Sequence, residues 1–180
     1  AFRADASARP APRLQFAAIA AAATAFGPGA TAKLMPLYPK LGPSAKAMVL
    51  GVVDASAEPQ IIEAVADANE GVRRAAIDAL GRVGGAASVP VLLQAFTAEG
   101  KPGKSNAEAA LAKISGQGAA AALEENAATG DSKARVACIN ALAARKYAPA
   151  VPALLKYATE TDSSIRKASF NALGQMGGEA

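Results

Sequence analysis

The sequence contains no histidine, no tryptophan and only one cysteine among its 180 residues. The absence of histidine excludes Ser-His and Cys-His nucleophile pairs and nearly all zinc sites. One cysteine, Cys138, cannot form an intrachain disulfide, and its small neighbours predict a buried side chain rather than a reactive thiol. Aromatic residues are scarce, at 4% of the chain, and no segment is typical of a β-strand. The lack of strand-like segments favours an all-α protein.

The residues that remain do not form a recognisable catalytic arrangement. Segment 100–105 ends like a phosphate-binding loop, but its glycines are too close together and no strand precedes it. The paired carboxylates Glu124 and Glu125 are explained more simply as solvated helix surface, as are Glu58 and Glu63. We therefore predict no enzymatic activity, no catalytic residue, no cofactor and no metal site.

The chain does contain an internal repeat with a period of 31 residues. Leu80, Leu111, Leu142 and Leu173 are spaced at this interval, and an alanine precedes each of them. Two further columns keep the same phase, one basic and one apolar: Arg73, Lys104, Arg135 and Arg166, and Leu92, Leu123 and Leu154. A fixed period of this size indicates stacked supersecondary units rather than one globular core.

Each repeat is predicted to contain two helices. Pro90 stands near the start of the clearest first helix, and the second helix has an apolar stripe at i, i+3, i+4 and i+7 spacing. Glycine pairs such as 84–85 end the second helices. Extending the phase predicts about eleven helices, near 14–26, 30–40, 44–55, 58–68, 72–84, 88–98, 104–115, 118–128, 134–146, 150–159 and 165–176. Pro36 and Pro39 make the helix at 30–40 the least regular.

These motifs resemble HEAT-like repeats, in the short form often named after the phycobilisome lyase subunits. The matching residues are Asp162, Ile165-Arg166, Ala172-Leu173-Gly174, Gly177-Gly178, Val72-Arg73, Ala79-Leu80-Gly81, Gly84-Gly85 and Val89-Pro90. The resemblance implies an all-α solenoid, a right-handed superhelix of about five to six antiparallel helix pairs. It divides the chain into an N-terminal extension (1–13) and a single array (14–180), with a divergent first repeat (14–42) and clear repeats (43–180). We expect the array to continue beyond residue 180, as part of a larger polypeptide.

Residues at the start of each second helix are predicted to form a structural ladder between successive repeats, as the family resemblance implies. An Asp or Asn stands four residues before the arginine, where it can cap the helix and pair with the basic side chain. The predicted ladder residues are Asn69, Arg73, Lys104, Asp131, Arg135, Asp162 and Arg166. A ligand-binding row of arginines is the alternative interpretation.

The solvent side of the second helices is the candidate binding surface, because these helices line the concave face in HEAT arrays. Moving away from the apolar stripe gives a polar, mildly basic strip of eight residues: Arg74, Asp78, Arg82, Lys113, Asn140, Lys167, Asn171 and Gln175. With neighbouring repeats about 10 Å apart, four repeats would form a groove about 30–40 Å long. Such a groove suits a helix or an extended peptide.

The leading hypothesis is a non-enzymatic scaffold that binds a protein or peptide through this strip. Nucleic-acid binding is the alternative, since the net charge of +4 and the pI near 9.3 permit it. HEAT-like bacterial DNA glycosylases grip a duplex with this fold, but they use tryptophans in a densely basic cleft, which this chain lacks. A third hypothesis is an accessory subunit of an enzyme such as a chromophore lyase.

The apolar run at 14–25 follows Arg13 and resembles the core of a signal peptide. Asp5 and the repeat phase favour a repeat helix instead, and the run is too short to span a bilayer. We therefore expect no membrane insertion, and a soluble protein of the bacterial cytoplasm or periplasm.

Overall fold

The computed structural model describes residues 12–99 and 105–177, and these residues form eleven α-helices and four short 3₁₀ helices, with no strand. The α-helices are α1 (Pro12–Phe26), α2 (Ala30–Leu34), α3 (Pro43–Val52), α4 (Glu58–Ala64), α5 (Glu70–Val83), α6 (Ser88–Glu99), α7 (Asn106–Lys113), α8 (Ala119–Thr129), α9 (Ser132–Ala144), α10 (Val151–Tyr157) and α11 (Ser163–Gly177). The 3₁₀ helices are Gly27–Gly29, Met35–Lys40, Ala55–Ala57 and Ala148–Ala150. The prediction of an all-α fold is confirmed.

The predicted helices lie close to the observed ones except at residues 30–40. There α2 ends at Leu34, and the 3₁₀ helix Met35–Lys40 follows, with Pro36 near its start and Pro39 inside it. Proline has no backbone N–H to donate, so a regular α-helix cannot continue through this segment. Most of the predicted N-terminal extension, residues 1–11, lies outside the described residues, and α1 begins at Pro12.

The helices are arranged in two layers, as a solenoid of helix pairs requires. The second helices α3, α5, α7, α9 and α11 pack side by side in chain order, and α1 extends this layer by packing against α3. The first helices α4, α6 and α8 contact one another much less extensively. The second helices therefore pack against one another more extensively than the first helices do. We call their layer the inner layer, after the concave face that the repeat resemblance predicts for it.

The leucine column forms the centre of the core, as its spacing predicts. Leu80 and Leu111 are completely buried, and Leu142 is 1% exposed. Leu173 is only partly buried, because α11 packs mainly against α9 and α10 in the described structure. The same cause exposes Phe170, although Ile77 and Ile139 in its column are buried.

We expect Leu111→Ala and Leu142→Ala each to lower the free energy of unfolding by about 2–5 kcal/mol, because each change leaves a cavity among packed helices. Urea denaturation followed by circular dichroism would measure the loss. Leu155→Ala is the matched control, since Leu155 is 57% exposed and its truncation removes little buried surface. A loss below about 0.5 kcal/mol at both core leucines would contradict the assignment.

The turns after α5 and α7 stack on each other through backbone hydrogen bonds. The amide of Gly116 donates to the carbonyl of Gly84 (3.0 Å), and the amide of Ala86 donates to the carbonyl of Gln117 (2.9 Å). Glu58, at the start of α4, accepts from the Gly85 amide and the Ser88 hydroxyl at 2.8 and 2.6 Å. These bonds fix the spacing between the two repeats at the C-terminal ends of their second helices, whereas the ladder residues lie at the N-terminal ends.

Gly81 permits α5 and α7 to approach closely. A Cβ atom added at Gly81 would lie 2.8 Å from Cα and 2.9 Å from Cβ of Ala110 on α7, which is closer than real carbon atoms approach. Gly174 occupies the same column on α11, but nothing lies within 4 Å of its Cβ position. One motif glycine is therefore required by packing, whereas the other is not.

These two glycines give a matched pair of substitutions. Gly81→Ala should destabilise the protein by about 1–3 kcal/mol, because the added methyl group forces α5 and α7 apart. Gly174→Ala should leave stability unchanged or raise it by up to about 1 kcal/mol, because alanine favours the helix over glycine. Thermal unfolding of both variants measures the contrast, and equal effects would contradict it.

Candidate interaction surface

All eight residues of the predicted strip are exposed on the inner layer of second helices. Three of them lie on α5, one on α7, one on α9 and three on α11: Arg74, Asp78 and Arg82; Lys113; Asn140; Lys167, Asn171 and Gln175. The apolar stripe of each helix faces the core, so the side chains on the opposite face remain in solvent.

Two strip arginines are already engaged within the chain. Arg74 forms an exposed ion pair with Glu70 at 3.5 Å, one helical turn earlier. Nη2 of Arg82 donates to the carbonyls of Leu50 and Val53 at 3.0 and 3.2 Å. These carbonyls end α3 and have no partner within their own helix, so Arg82 ties α5 to the preceding repeat. Sequence spacing places Arg82 on the strip but gives no sign of this contact.

The other six strip side chains make no hydrogen bond or ion pair with any described residue. Asn140 and Asn171 stand in one column on neighbouring helices, 31 residues apart, and each offers both a donor and an acceptor. Lys113 and Lys167 add positive charge to the strip, and Asp78 adds one negative charge. The strip can therefore form several hydrogen bonds and a few ion pairs with a partner.

A groove of about 520 Å³ opens beside the strip, between α7, α9 and the start of α11. Phe96 and Val136 provide apolar surface, while Asn140, Lys133 and Ser164 provide polar groups around it. A mixture of apolar walls and a few polar groups is typical of ligand-binding pockets.

The acidic and amide members of the ladder cap the second helices. Oδ1 of Asn69 accepts from the Gly71 and Val72 amides at 2.9 and 3.3 Å, and Oδ1 of Asp131 accepts from the Ala134 amide at 2.8 Å. Asp162 accepts in the same way from the amides of residues 164 and 165. The hydroxyl of Ser132 and these backbone amides lower the pKa of Asp162, because they stabilise its charged form.

The ladder arginines bind partners other than the capping acids. Nη1 of Arg73 donates to the carbonyls of Asp67 and Ala68, each at 2.9 Å. Arg166 contacts the corresponding pair of carbonyls, at residues 160 and 161. Lys104, the remaining basic residue of the column, lies outside the described residues.

Arg135 belongs to a cluster that joins two repeats, which we call the Arg135 cluster: Arg135, Tyr157 and Glu160. Nη1 and Nη2 of Arg135 donate to the Glu160 carboxylate at 2.8 and 2.7 Å, and the guanidinium lies 5.0 Å from the centre of the Tyr157 ring. The paired hydrogen bonds raise the pKa of Arg135 and lower the pKa of Glu160, since both charged forms are stabilised.

A second cluster of the same kind, the Lys46 cluster, joins the repeats at α3 and α4. Nζ of Lys46 lies 3.1 Å from the Asp67 carboxylate and 5.3 Å from the centre of the Tyr38 ring. The pKa of Asp67 is lowered, first by the hydrogen bond from the Asn69 amide and then by Lys46. Sequence reasoning missed both clusters. The repeat spacing of their carboxylates was the available signal, since Asp67 and Glu160 lie three periods apart.

The Arg135 cluster gives a pH-dependent prediction. Glu160→Gln should lower the melting temperature at pH 7 by about 2–4 °C, because the bidentate ion pair is partly exposed and contributes roughly 1 kcal/mol. The contribution is full above the pKa of an unfolded glutamate, about 4.3, and is lost as the pH falls through the lower folded value. Thermal melts at pH 7 and pH 3 should therefore show a difference that shrinks in acid. A constant difference would contradict the assignment.

A second groove lies between the repeats of α4–α5 and α6–α7, and we call it the central groove. Its volume is about 950 Å³, its walls include Ile62, Val65 and Val91, and Arg73 and Arg74 lie at its edge. It adjoins the end of the strip at Arg74.

The described residues contain no group of three or more Cys, Asp or Glu side chains arranged to hold a metal ion. Cys138 is completely buried, and burial raises the pKa of its thiol to about 12, so the thiolate is not formed at neutral pH. No helix in the described part of the chain has the length and apolar character needed to cross a membrane.

Comparison with protein families finds one described as HEAT repeats, whose model matches residues 44–112, 58–135 and 120–180. These overlapping matches span most of the two-layer array, from α3 to α11. Comparison with curated proteins finds no match.

Proposed function

Because the chain belongs to the HEAT repeat family, we propose that it is a non-enzymatic scaffold that binds a protein or peptide along its concave strip. One observation carries the proposal. Six polar side chains project from successive inner helices in the repeat register, and none of them is used by the described fold. Exposed polar groups on a rigid inner face support binding more directly than they support stability.

The spacing of the strip suits an extended peptide. Neighbouring inner helices lie about 10 Å apart, and an extended chain advances about 3.3 Å per residue, so about three peptide residues span one repeat. Asn140 and Asn171 could then each pair with a peptide group of the partner's main chain. Lys113 and Lys167 favour a partner that carries acidic side chains nearby.

A peptide selection tests this proposal. Peptides selected from a phage-displayed library against the immobilised protein would be titrated by fluorescence anisotropy against the native chain and two strip variants, Asn140→Ala/Asn171→Ala and Lys113→Glu/Lys167→Glu. We expect each variant to weaken binding at least about tenfold, since a few central residues carry most of the binding energy of an interface.

The matched control is Glu125→Ala/Lys156→Ala, which changes two exposed residues on the first helices α8 and α10. Its affinity and melting temperature should equal those of the native chain. Selected peptides that bind the strip variants as tightly as the native protein would contradict a role for the strip.

Nucleic-acid binding is the second candidate, supported by the net charge of +4. The strip offers little to it, because Arg82 is bound to backbone carbonyls, Arg74 is paired with Glu70, and Asp78 adds a negative charge. A duplex binder normally contacts about 6–10 phosphates. We therefore expect a labelled mixed-sequence DNA duplex to show no micromolar binding by anisotropy at 50 mM salt. Micromolar binding that weakens steeply at 200 mM salt would instead favour the nucleic-acid function.

A role as an accessory subunit that holds a protein substrate for an enzyme would use the same strip. Identification of the natural partner would distinguish such a subunit from a general scaffold.

A further inference from the structure

The central groove occupies the place that the Arg135 cluster fills at another junction of the same array. Helices α6 and α10 stand two periods, or 62 residues, apart, so Ala95 corresponds to Tyr157 and Ala98 corresponds to Glu160. Both alanines line the central groove. The groove therefore exists where the aromatic ring and the carboxylate of the cluster are replaced by methyl groups.

Arg73 lies at the wall of this groove and corresponds to Arg135, two periods later. Its Nη1 donates to two backbone carbonyls, and none of the ion pairs among described side chains involves it. Among the described residues that line the groove, the one carboxylate is that of Glu70, which pairs with Arg74, and no aromatic ring is present. At this junction Arg73 provides the cation that Arg135 provides in the cluster. Helix α6 carries alanines at the positions that correspond to Tyr157 and Glu160.

The remaining walls of the central groove suit an aromatic side chain. Ile62, Val65, Ile77 and Val91 provide an apolar surface from three helices, and the groove volume of about 950 Å³ exceeds that of one side chain. A guanidinium beside an apolar wall can stack on an aromatic ring and bind a carboxylate with two parallel hydrogen bonds. The Arg135 cluster shows both contacts at one arginine.

We infer that the central groove is a docking site for a protein segment that inserts one aromatic side chain and one carboxylate beside Arg73. The partner supplies between α4–α5 and α6–α7 the groups that Tyr157 and Glu160 supply between α8–α9 and α10–α11. A segment with these residues three positions apart matches the arrangement within the chain. The site shares only Arg74 with the concave strip, so it does not depend on the strip as a binding surface.

A synthetic peptide with the sequence of residues 151–162 is the probe, because it contains both Tyr157 and Glu160. Titration into ¹⁵N-labelled protein should shift the amide resonances of residues lining the groove, such as Ile77, Ala95 and Ala98. Peptides with Tyr157→Ala or Glu160→Gln should bind at least about fivefold more weakly, since each lacks one of the two anchoring groups. Equal affinities for the three peptides would overturn the inference.

Two protein variants test the site itself. In Ala95→Tyr/Ala98→Glu the chain supplies its own cluster, so its melting temperature should rise and the peptide should no longer bind. The control Ala121→Tyr/Ala128→Glu makes the same changes at exposed positions of α8, outside the groove, and should bind normally. Binding by the first variant at native affinity would overturn the inference.

A milder pair of variants covers the case in which the double variant fails to fold. Ala98 is exposed, so either Ala98→Glu or Ala98→Gln can be accommodated on the surface of α6. Ala98→Glu should weaken peptide binding about fivefold or more by competing for Arg73, whereas Ala98→Gln should weaken it much less. Equal losses would point to steric blockage and would contradict the role of Arg73.

Discussion

Close packing of successive inner helices is the constraint on which the rest of this structure depends. Leu80, Leu111 and Leu142 fill the space within each repeat, and small residues such as Gly81 and Ala110 set the distance between repeats. This packing is extensive within the inner layer and sparse within the outer layer. The same packing holds the exposed face of every inner helix in one register, which aligns the polar strip.

The polar contacts between repeats vary more than the apolar ones. The Lys46 and Arg135 clusters use different cations, but each places the cation beside a tyrosine ring and a carboxylate. Tyr157 and Glu160 both come from the repeat after Arg135. Around Lys46, the ring of Tyr38 precedes α3 and the carboxylate of Asp67 follows α4. Since these clusters lie at the surface ends of the helices, a repeat can lose one without disturbing the leucine column. Ala95 and Ala98 show such a loss, and the central groove is its structural consequence.

Basic residues in one column of the strip serve different purposes. Arg82 and Lys113 belong to the same column, yet Arg82 binds two carbonyls at the end of α3, whereas Lys113 makes no hydrogen bond or ion pair with a described residue. The Nη2 nitrogen of Arg82 carries two N–H groups, so it donates to both carbonyls at once. The proposed binding surface therefore consists of those column members that the fold leaves unpaired.

The period, the positions of most helices, the buried leucines and the helix caps can all be predicted from the amino-acid sequence. These features depend on residues within one repeat, where apolar spacing, proline, glycine and capping side chains act over a few positions along the chain. The helix predicted at 30–40 was wrong in its second half, because Pro36 and Pro39 allow only a 3₁₀ helix there.

The polar contacts between repeats depend instead on how the repeats pack. Arg135 binds Glu160, 25 residues later, rather than Asp131, and Arg82 reaches carbonyls 32 and 29 residues earlier. Stacking brings every residue near others about one period away, so spacing alone offers several partners for each charged group. The offset between helices and the reach of each side chain select among them, and both are fixed only when the repeats pack.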